Sequence, residues 1–317
     1  MSKAAEAPRV SLAMPVYNGE AYVAQAVRSI LDQTYENFEL IVNDNASTDA
    51  TGAICLAFAE KDARVRYMRN PVNLGAAPNH NIGFAAARGE FFKWCASDDY
   101  LAPDFIGKCV RALDENPGAA LAYGETKSVD ENGDVMPLVG SLGPVVTGQP
   151  PAERFYNVMR YVGTCYEIFG LYRRATLARS TLQRSYYGSD HALLAEIALL
   201  GDYVFVPDTV FYNREHKDRS INMTDIQARV LWQDTSKNAK HSMQHLKHLA
   251  HLMEIAWRHR GEVDPAVSLF AVARSELRPI QLMRYGLDAA GLASPALRSW
   301  LRERGWSLVN KAQMRLT

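Results

Sequence analysis

Cysteine is scarce in this chain: four in 317 residues, Cys55, Cys95, Cys109 and Cys165, with no CxxC pair among them. Such spacing argues against a disulfide framework and against a zinc site, and makes a reducing cytoplasm the expected setting. Long apolar runs are missing too: no stretch reaches the roughly 18 residues that a spanning helix needs. The N-terminal MSKAAEAPRV passes into a strand-like run without an apolar leader, so neither a membrane span nor an export signal is expected. Net charge is absent, with 35 basic residues against 35 acidic ones, which leaves no field to attract nucleic acid. A glycine-rich phosphate loop is also lacking. The first strand-like run leads into Pro15-Val16-Tyr17-Asn18-Gly19-Glu20. This is neither the GxGxxG of a dinucleotide enzyme nor the Gly, Arg and Lys loop of a sugar-1-phosphate nucleotidyltransferase.

What is present is an alternation of short apolar runs and amphipathic stretches, the pattern of a mostly parallel, Rossmann-like sheet covered by helices. The predicted strands are Val10–Val16, Phe38–Asn43, Val65–Arg69, Phe91–Cys95 and Ala119–Tyr123. Helices are predicted over Glu20–Gln33, Thr51–Lys61, Asn79–Ala87 and Asp104–Glu115. After Tyr123 the pattern changes. Asp130-Glu131-Asn132-Gly133-Asp134 signals a hairpin turn, and Gly140 to Pro151 reads as a loop. A helix near Ala152–Tyr161, a strand near Ile168–Tyr172, a helix over Asp190–Leu200 and paired strands Tyr203–Val206 and Val210–Asn213 follow. Beyond Asn222 the chain is almost entirely helix-permissive, with Ile226 to Arg260 uninterrupted by Gly or Pro and more helical pieces out to Trp306. Residues 1–126 thus form an expected nucleotide-binding half, 127–221 an acceptor-binding half, and 222–317 a helical appendage.

In a doubly wound sheet ligands bind beyond the carboxyl ends of the strands. Three polar turns fall there: Pro15 to Glu20, Asn43 to Asp49, and Ala96-Ser97-Asp98-Asp99. The Asp44 carboxylate can accept from the imide N–H of uracil or thymine. It can equally stabilise a turn whose Ser47, Thr48 or Asp49 caps the next helix. Adjacent carboxylates at Asp98 and Asp99 repel unless a cation or a ribose hydroxyl compensates them. A hard divalent ion completed by phosphate oxygens meets that demand.

The order and spacing of these residues resemble the inverting glycosyltransferases of family 2, which have the GT-A fold. The likeness rests on VSLAMPVYN from Val10, SILDQTY from Ser29, DNASTD from Asp44, Asn73-Leu74-Gly75, AARGE from Ala86, and Ser97-Asp98-Asp99 followed by Pro103. It runs from about residue 9 to about 220 and does not extend into the tail. The resemblance implies a nucleotide-diphosphate sugar donor held by Pro15, Val16, Tyr17, Asn18, Glu20, Asp44, Asn73, Ser97 and Asp98, with Asp98 on the ribose. Asp99 would ligate Mg2+ or Mn2+ beside the diphosphate. Many members carry a further Asp where this chain has Ala96, so metal ligation leans on Asp99.

Asp190 stands where the family places its catalytic carboxylate, and as a base it would deprotonate the acceptor hydroxyl. Its alternative is an N-cap, shared with Ser189. Glu196 is expected to be structural, and His191 carries no assigned role. The segment Phe211 to His216 resembles the family's exit toward the diphosphate, where Arg214 would neutralise phosphate charge and His216 would add a metal ligand. His241, His245, His248 and His251 read as a solvated helix face. Trp300, Leu301, Arg302, Arg304 and Trp306 form a basic, aromatic patch that packs on the catalytic domain or, with a lipid-linked acceptor, rests on an anionic inner-membrane face. The acceptor is a glycan, a lipid-linked sugar or another hydroxyl compound. A non-catalytic nucleotide-sugar-binding protein is the alternative that keeps every donor-side residue.

Overall fold

The computed structural model describes residues 7–137, 147–223, 225–236 and 243–294. Its centre is four parallel strands in the order β3-β2-β1-β4: β1 (Val10–Val16), β2 (Phe38–Asp44), β3 (Val65–Arg69) and β4 (Phe91–Trp94). Strands covered on both faces need near-continuous apolar runs, and β2 is buried along its whole length. Alternation then sorts the side chains. Leu12, Met14, Leu40 and Val42 face one core with α1 (Val23–Leu31) and α2 (Thr51–Lys61), while Ala13, Ile41, Phe92 and Trp94 face the other. Register aligns Val16 with Asp44, Asp44 with Arg69, and Ala13 with Trp94. The turns that leave β1, β2 and β4 therefore share one edge.

The sheet continues through α3 (Ala76–Ala85), β5 (Tyr100–Leu101), α4 (Phe105–Glu115), β6 (Ala119–Val129) and β7 (Val135–Met136). The predicted hairpin turn joins β6 to β7, closed by Asp130 N–H to the Asp134 carbonyl. After α5 (Pro151–Tyr161) and a 3-10 turn, β8 (Leu171–Arg173) wedges antiparallel between β4 and β6. Then come α6 (Arg174–Leu177), α7 (Ser189–Leu200) and β9 (Asp202–Arg214), which runs parallel to β6 and carries β5 at its far edge. The two short strands expected between Tyr203 and Asn213 are thus one continuous strand. Its exposed middle is absorbed by a bulge opposite Gly124, where a β-carbon would lie 2.6 Å from the Thr209 carbonyl.

The helix-permissive stretch from Ile226 to Arg260 is helical, but not as one helix. It is split into α8 (Ile226–Gln233) and α9 (Gln244–Arg258). Asp234 leaves the helix in an extended conformation, and Thr235 bonds through N–H to Leu74 and through its hydroxyl to Asn73. Gly75, at φ +91°, accepts this docking because a β-carbon there would meet the Asp234 backbone at 2.6 Å. Tertiary contact, not a helix-breaking residue, ends α8.

α10 (Pro265–Glu276) and α11 (Pro279–Ala293) complete the described chain. Leu252, Ile255, Ala256, Ala271 and Val272 of α9 and α10 join the core that holds Phe92, Trp94 and α7. Among the described residues no helix is long and apolar enough to cross a membrane. The basic, aromatic patch from Trp300 to Trp306 lies outside the described residues.

Candidate active site

The turns after β1 and β2 are stitched to each other. Asn18, at φ +51°, donates its N–H to Ser47 Oγ (3.0 Å) and accepts from Thr48 N–H on Oδ1 (2.8 Å), and Gly19 N–H reaches Thr51 Oγ1 (2.8 Å). Glu20 is used the same way: its carboxylate accepts from Ala50 N–H at the start of α2, while its own N–H meets Asp49. Asp49 Oδ1 in turn accepts from Thr51 N–H. Asn45 is a buried hub that sequence reading missed. Its amide binds Asn73 Oδ1 (2.8 Å) and the Gly75 carbonyl, and its Oδ1 accepts from Asn70 and Leu74 N–H. This holds the Asn73 loop against the sheet edge.

A cavity of about 1190 Å³ opens at that edge. Pro15, Val16, Tyr17, Asn18, Asn73, Ser97 and Asp98 line it, with the Tyr17 ring about half exposed. Glu20, Asp44 and Arg214 do not line it. Asp44 is fully buried, and its carboxylate is taken up by Ser47 N–H (2.8 Å), Tyr67 O–H (2.6 Å) and the Arg69 guanidinium. Burial alone would raise this carboxyl, but those hydrogen bonds hold it below its ordinary value.

Arg214 departs from its expected place at the phosphates. Its guanidinium is buried and bound to the carbonyls of Asp98, Asp130 and Glu131 and to Gln25 Oε1, between the rings of Tyr22 and Tyr100. It is a clamp between the Asp98 turn and the β6–β7 hairpin. Residue type announced a cation here, but not the direction in which it points. The cavity-lining arginine of this exit loop is Arg219, held by Glu215 and by Asn213 Oδ1 (3.0 Å). Its only sequence signal was its position five residues beyond Arg214.

Asp99 is buried and accepts from the Arg214 N–H at 2.8 Å. Burial drives its carboxyl well above the ordinary value and the Asp98 charge adds to this, against the Arg214 N–H. Asp98 Oδ2 lies 2.9 Å from His216 Nε2, whose ring packs on Tyr22. Among the described residues no three His, Cys, Asp or Glu side chains converge on a metal position. The 2.9 Å between Asp98 and His216 is a hydrogen bond, so what fits a partly ligated cation is the donor set, two adjacent carboxylates with an imidazole beside them. Asp99, a buried carboxylate lacking a cationic hydrogen-bond partner, adds the matching charge demand. Donor phosphates and water would have to supply the remaining ligands.

The opposite wall comes from α7 and the helices that follow. Asp190 lines the cavity in the first turn of α7, where Gly188 occupies the cap position and no side chain caps the helix. The capping alternative is therefore not realised. Ser189 instead donates to Gln183 Oε1, and Asp190 Oδ1 accepts from the His191 N–H at 2.9 Å. Burial raises the Asp190 carboxyl, against that N–H and nearby His80. His80, unassigned by sequence reading, donates Nδ1–H to the Ala76 carbonyl (2.8 Å), which leaves Nε2 as the ring's lone-pair nitrogen beside the cavity.

The solvated histidine face is corrected. His251 is buried between Tyr186 O–H (2.8 Å) and Thr181 Oγ1 (2.7 Å), and His248 contacts Tyr186 and the His191 ring. Thr181 leads to Glu196, which is fully buried and reaches His259 at 2.8 Å. Glu196 is structural: it ties α7 to α9. His245 lines the cavity, and His241 lies outside the described residues.

Comparison with known proteins places this geometry. The family model described as glycosyl transferase family 2 matches residues 11–179. An uncharacterized glycosyltransferase of Haemophilus influenzae is 36% identical over 132 residues, 42% of this chain and 52% of its own length. Glycosyltransferase GlyG of Streptococcus pneumoniae is 35% identical over 140 residues, 44% of each chain. The chain spans about half the length of the curated relatives it matches. Among solved structures, S. aureus TarS 1-349 in complex with UDP-GlcNAc superposes with a TM-score of 0.61 at 16% identity, covering 89% of this chain and 80% of that one. The mannosyltransferase PcManGT from Pyrobaculum calidifontis, in complex with GDP-Man and Mn2+, gives a TM-score of 0.52 at 18% identity, covering 96% and 81%. At such identities the likeness is one of fold, and that fold is GT-A.

Proposed function

Because the chain belongs to glycosyl transferase family 2, we propose that it transfers a sugar from a nucleotide-diphosphate donor to a hydroxyl acceptor, with inversion at the anomeric carbon, in glycan or polysaccharide assembly. One observation carries the reading. A single cavity has the Ser97-Asp98-Asp99 turn and Tyr17 on one wall and the half-buried Asp190 on another. At about 1190 Å³ it exceeds the ~300–1,000 Å³ of a typical one-ligand site and has room for donor and acceptor together.

On this reading Tyr17, Asn18 and Asn73 position the nucleotide, and Asp98 meets the ribose. Asp99 and His216 would hold a divalent cation, Mg2+ or Mn2+, which when bound supplies positive charge to the leaving diphosphate. Asp190 accepts the proton of the acceptor hydroxyl as that oxygen bonds to C1 of the sugar, on the face opposite the breaking bond to the diphosphate. Nucleoside diphosphate leaves with the electron pair of that bond. No covalent intermediate forms. An upward-shifted base retains its affinity for the proton better than an ordinary aspartate, which suits it to this step. A UDP-type donor is the first to test, since TarS holds UDP-GlcNAc, with the GDP-Man that PcManGT holds as the comparison. Asp44 contributes at one remove, by holding Arg69 and the Ser47 amide that shape the turn.

The test is a panel of nucleotide sugars with Mn2+, following release of nucleoside diphosphate with and without hydroxyl acceptors. Slow hydrolysis of one donor, accelerated by an acceptor, is expected. Tight binding of a donor with no turnover across the panel would move the chain to the non-catalytic alternative.

A further inference from the structure

The arginines along the seam between the helices after β9 and the rest of the chain fall into two groups. One group is paired: Arg274 with Glu153 (3.3 Å), Arg184 with Glu254 (2.5 Å) and Arg179 with Glu262. These pairs pin α9 and α10 to the catalytic half. The other group, Arg160, Arg278 and Arg284, lines the cavity, and among the described residues no carboxylate comes within ion-pair distance of any of the three. Arg278, at the cap of α11, uses Nε on the Ser275 carbonyl (2.5 Å), and Arg284 uses Nη1 on Gln281 Oε1 (3.1 Å). Arg160 lies over the Tyr161 ring at 5.1 Å. Each keeps further N–H donors for a ligand.

Glu276 also lines this part of the cavity. Its two oxygens are occupied by the hydroxyls of Ser275 (3.0 Å) and Tyr285 (2.5 Å), not by a guanidinium. Two of the unpaired charges, Arg278 and Arg284, act on His191, the residue that follows the proposed base. Burial lowers the His191 ring below its ordinary value, and both arginines act in the same direction, against Glu276 and the Val158 carbonyl. Guanidinium groups that line a cavity without an ion-pair partner are the donor set that planar or tetrahedral oxyanions bind, often bidentately. The donor diphosphate is already provided for at the Asp98-Asp99 turn.

We infer that the acceptor carries an anionic group, a phosphate or a carboxylate, which Arg278, Arg284 and Arg160 bind while its hydroxyl meets Asp190. The helices after β9 are then part of the acceptor site and set which acceptors the enzyme takes. This rests on the glycosyl-transfer reading above.

Titration of the full chain with glucose 6-phosphate, glucuronate and glucose, in the presence of saturating UDP and Mn2+, tests it, with UDP affinity measured separately. Fluorescence serves as the readout, since Trp94 and Trp232 line the cavity. At least one anionic probe is expected to bind about 10-fold or more tightly than glucose, the effect of one charge-assisted contact. Whichever anion is favoured names the group. Arg278→Ala/Arg284→Ala should erase the preference and leave UDP affinity unchanged. If that double variant does not fold, the exposed Arg284→Gln alone should still reduce the preference severalfold. Equal binding of all three probes by the wild type, or a preference that survives these substitutions, overturns the inference. Loss of UDP binding in the wild type would instead strike at the donor reading, and Asp190→Asn should stop transfer without touching probe affinity.

Discussion

Asp44 closes β2 and Asp99 follows β4 at the same edge of the sheet, and both carboxylates are buried, yet their surroundings are opposite. Asp44 has a main-chain amide, a phenol and a guanidinium to share its charge, and its carboxyl is held low. Asp99 has one main-chain amide and a neighbouring carboxylate, and its carboxyl is driven high. A satisfied carboxylate is a structural part. One that is buried and undercompensated shows where a ligand must bring positive charge. Two turns that look alike in sequence are thereby separated into a brace and a candidate binding site, and Asp190, half-buried on the facing wall with its carboxyl raised, belongs with the second kind.

The largest expected effect falls on that wall. Asp190→Asn should lower kcat by about 10²–10⁴ while nucleoside diphosphate affinity stays at the wild-type value. A parallel loss of nucleotide affinity would erase the division between the walls. Next comes the brace: Asp44→Asn should destabilise the fold by about 2–3 kcal/mol at pH 7, because Arg69 and Tyr67 lose a charged acceptor. Since the folded carboxyl is held low, its contribution is present above the unfolded value near 4 and is lost as pH falls through the folded value. Denaturation midpoints of the two proteins should therefore converge in strong acid.

Asp99→Asn should do the reverse on a smaller scale, stabilising the metal-free protein by about 1 kcal/mol at neutral pH. A carboxyl whose folded value is raised costs stability above that value and none below the unfolded value near 4. The gain should thus fade on acidification, and a destabilised Asp99→Asn at pH 7 would show that Asp99 is a brace like Asp44.

Much of this comparison was legible before folding. Strand ends carry the wall proposed for the donor, so the cavity-lining Tyr17, Asn18 and Ser97-Asp98-Asp99 turn could be picked out by reading on from each apolar run. What could not be read was direction and distance. Arg214 and Arg219 lie in one loop, but only packing decides that the first turns inward onto carbonyls and the second lines the cavity. The Asn45 hub joins residues up to 30 positions apart. The proposed anion site joins α5 to α11, across more than a hundred residues, with no local pattern to mark it. Helix propensity also gave no warning that Thr235 would end α8 by bonding to the Asn73 loop.

The direct test of the Asp98-Asp99 turn as the grip on the donor diphosphate is calorimetric titration of UDP into the wild type and Asp99→Asn, with Mn2+ and then with EDTA. The account predicts wild-type binding that is at least about tenfold tighter with Mn2+ than with EDTA, the worth of one further charge-assisted contact, and an Asp99→Asn variant that loses most of that difference. Equal affinity in the two conditions, or a metal effect undiminished by the substitution, would contradict it.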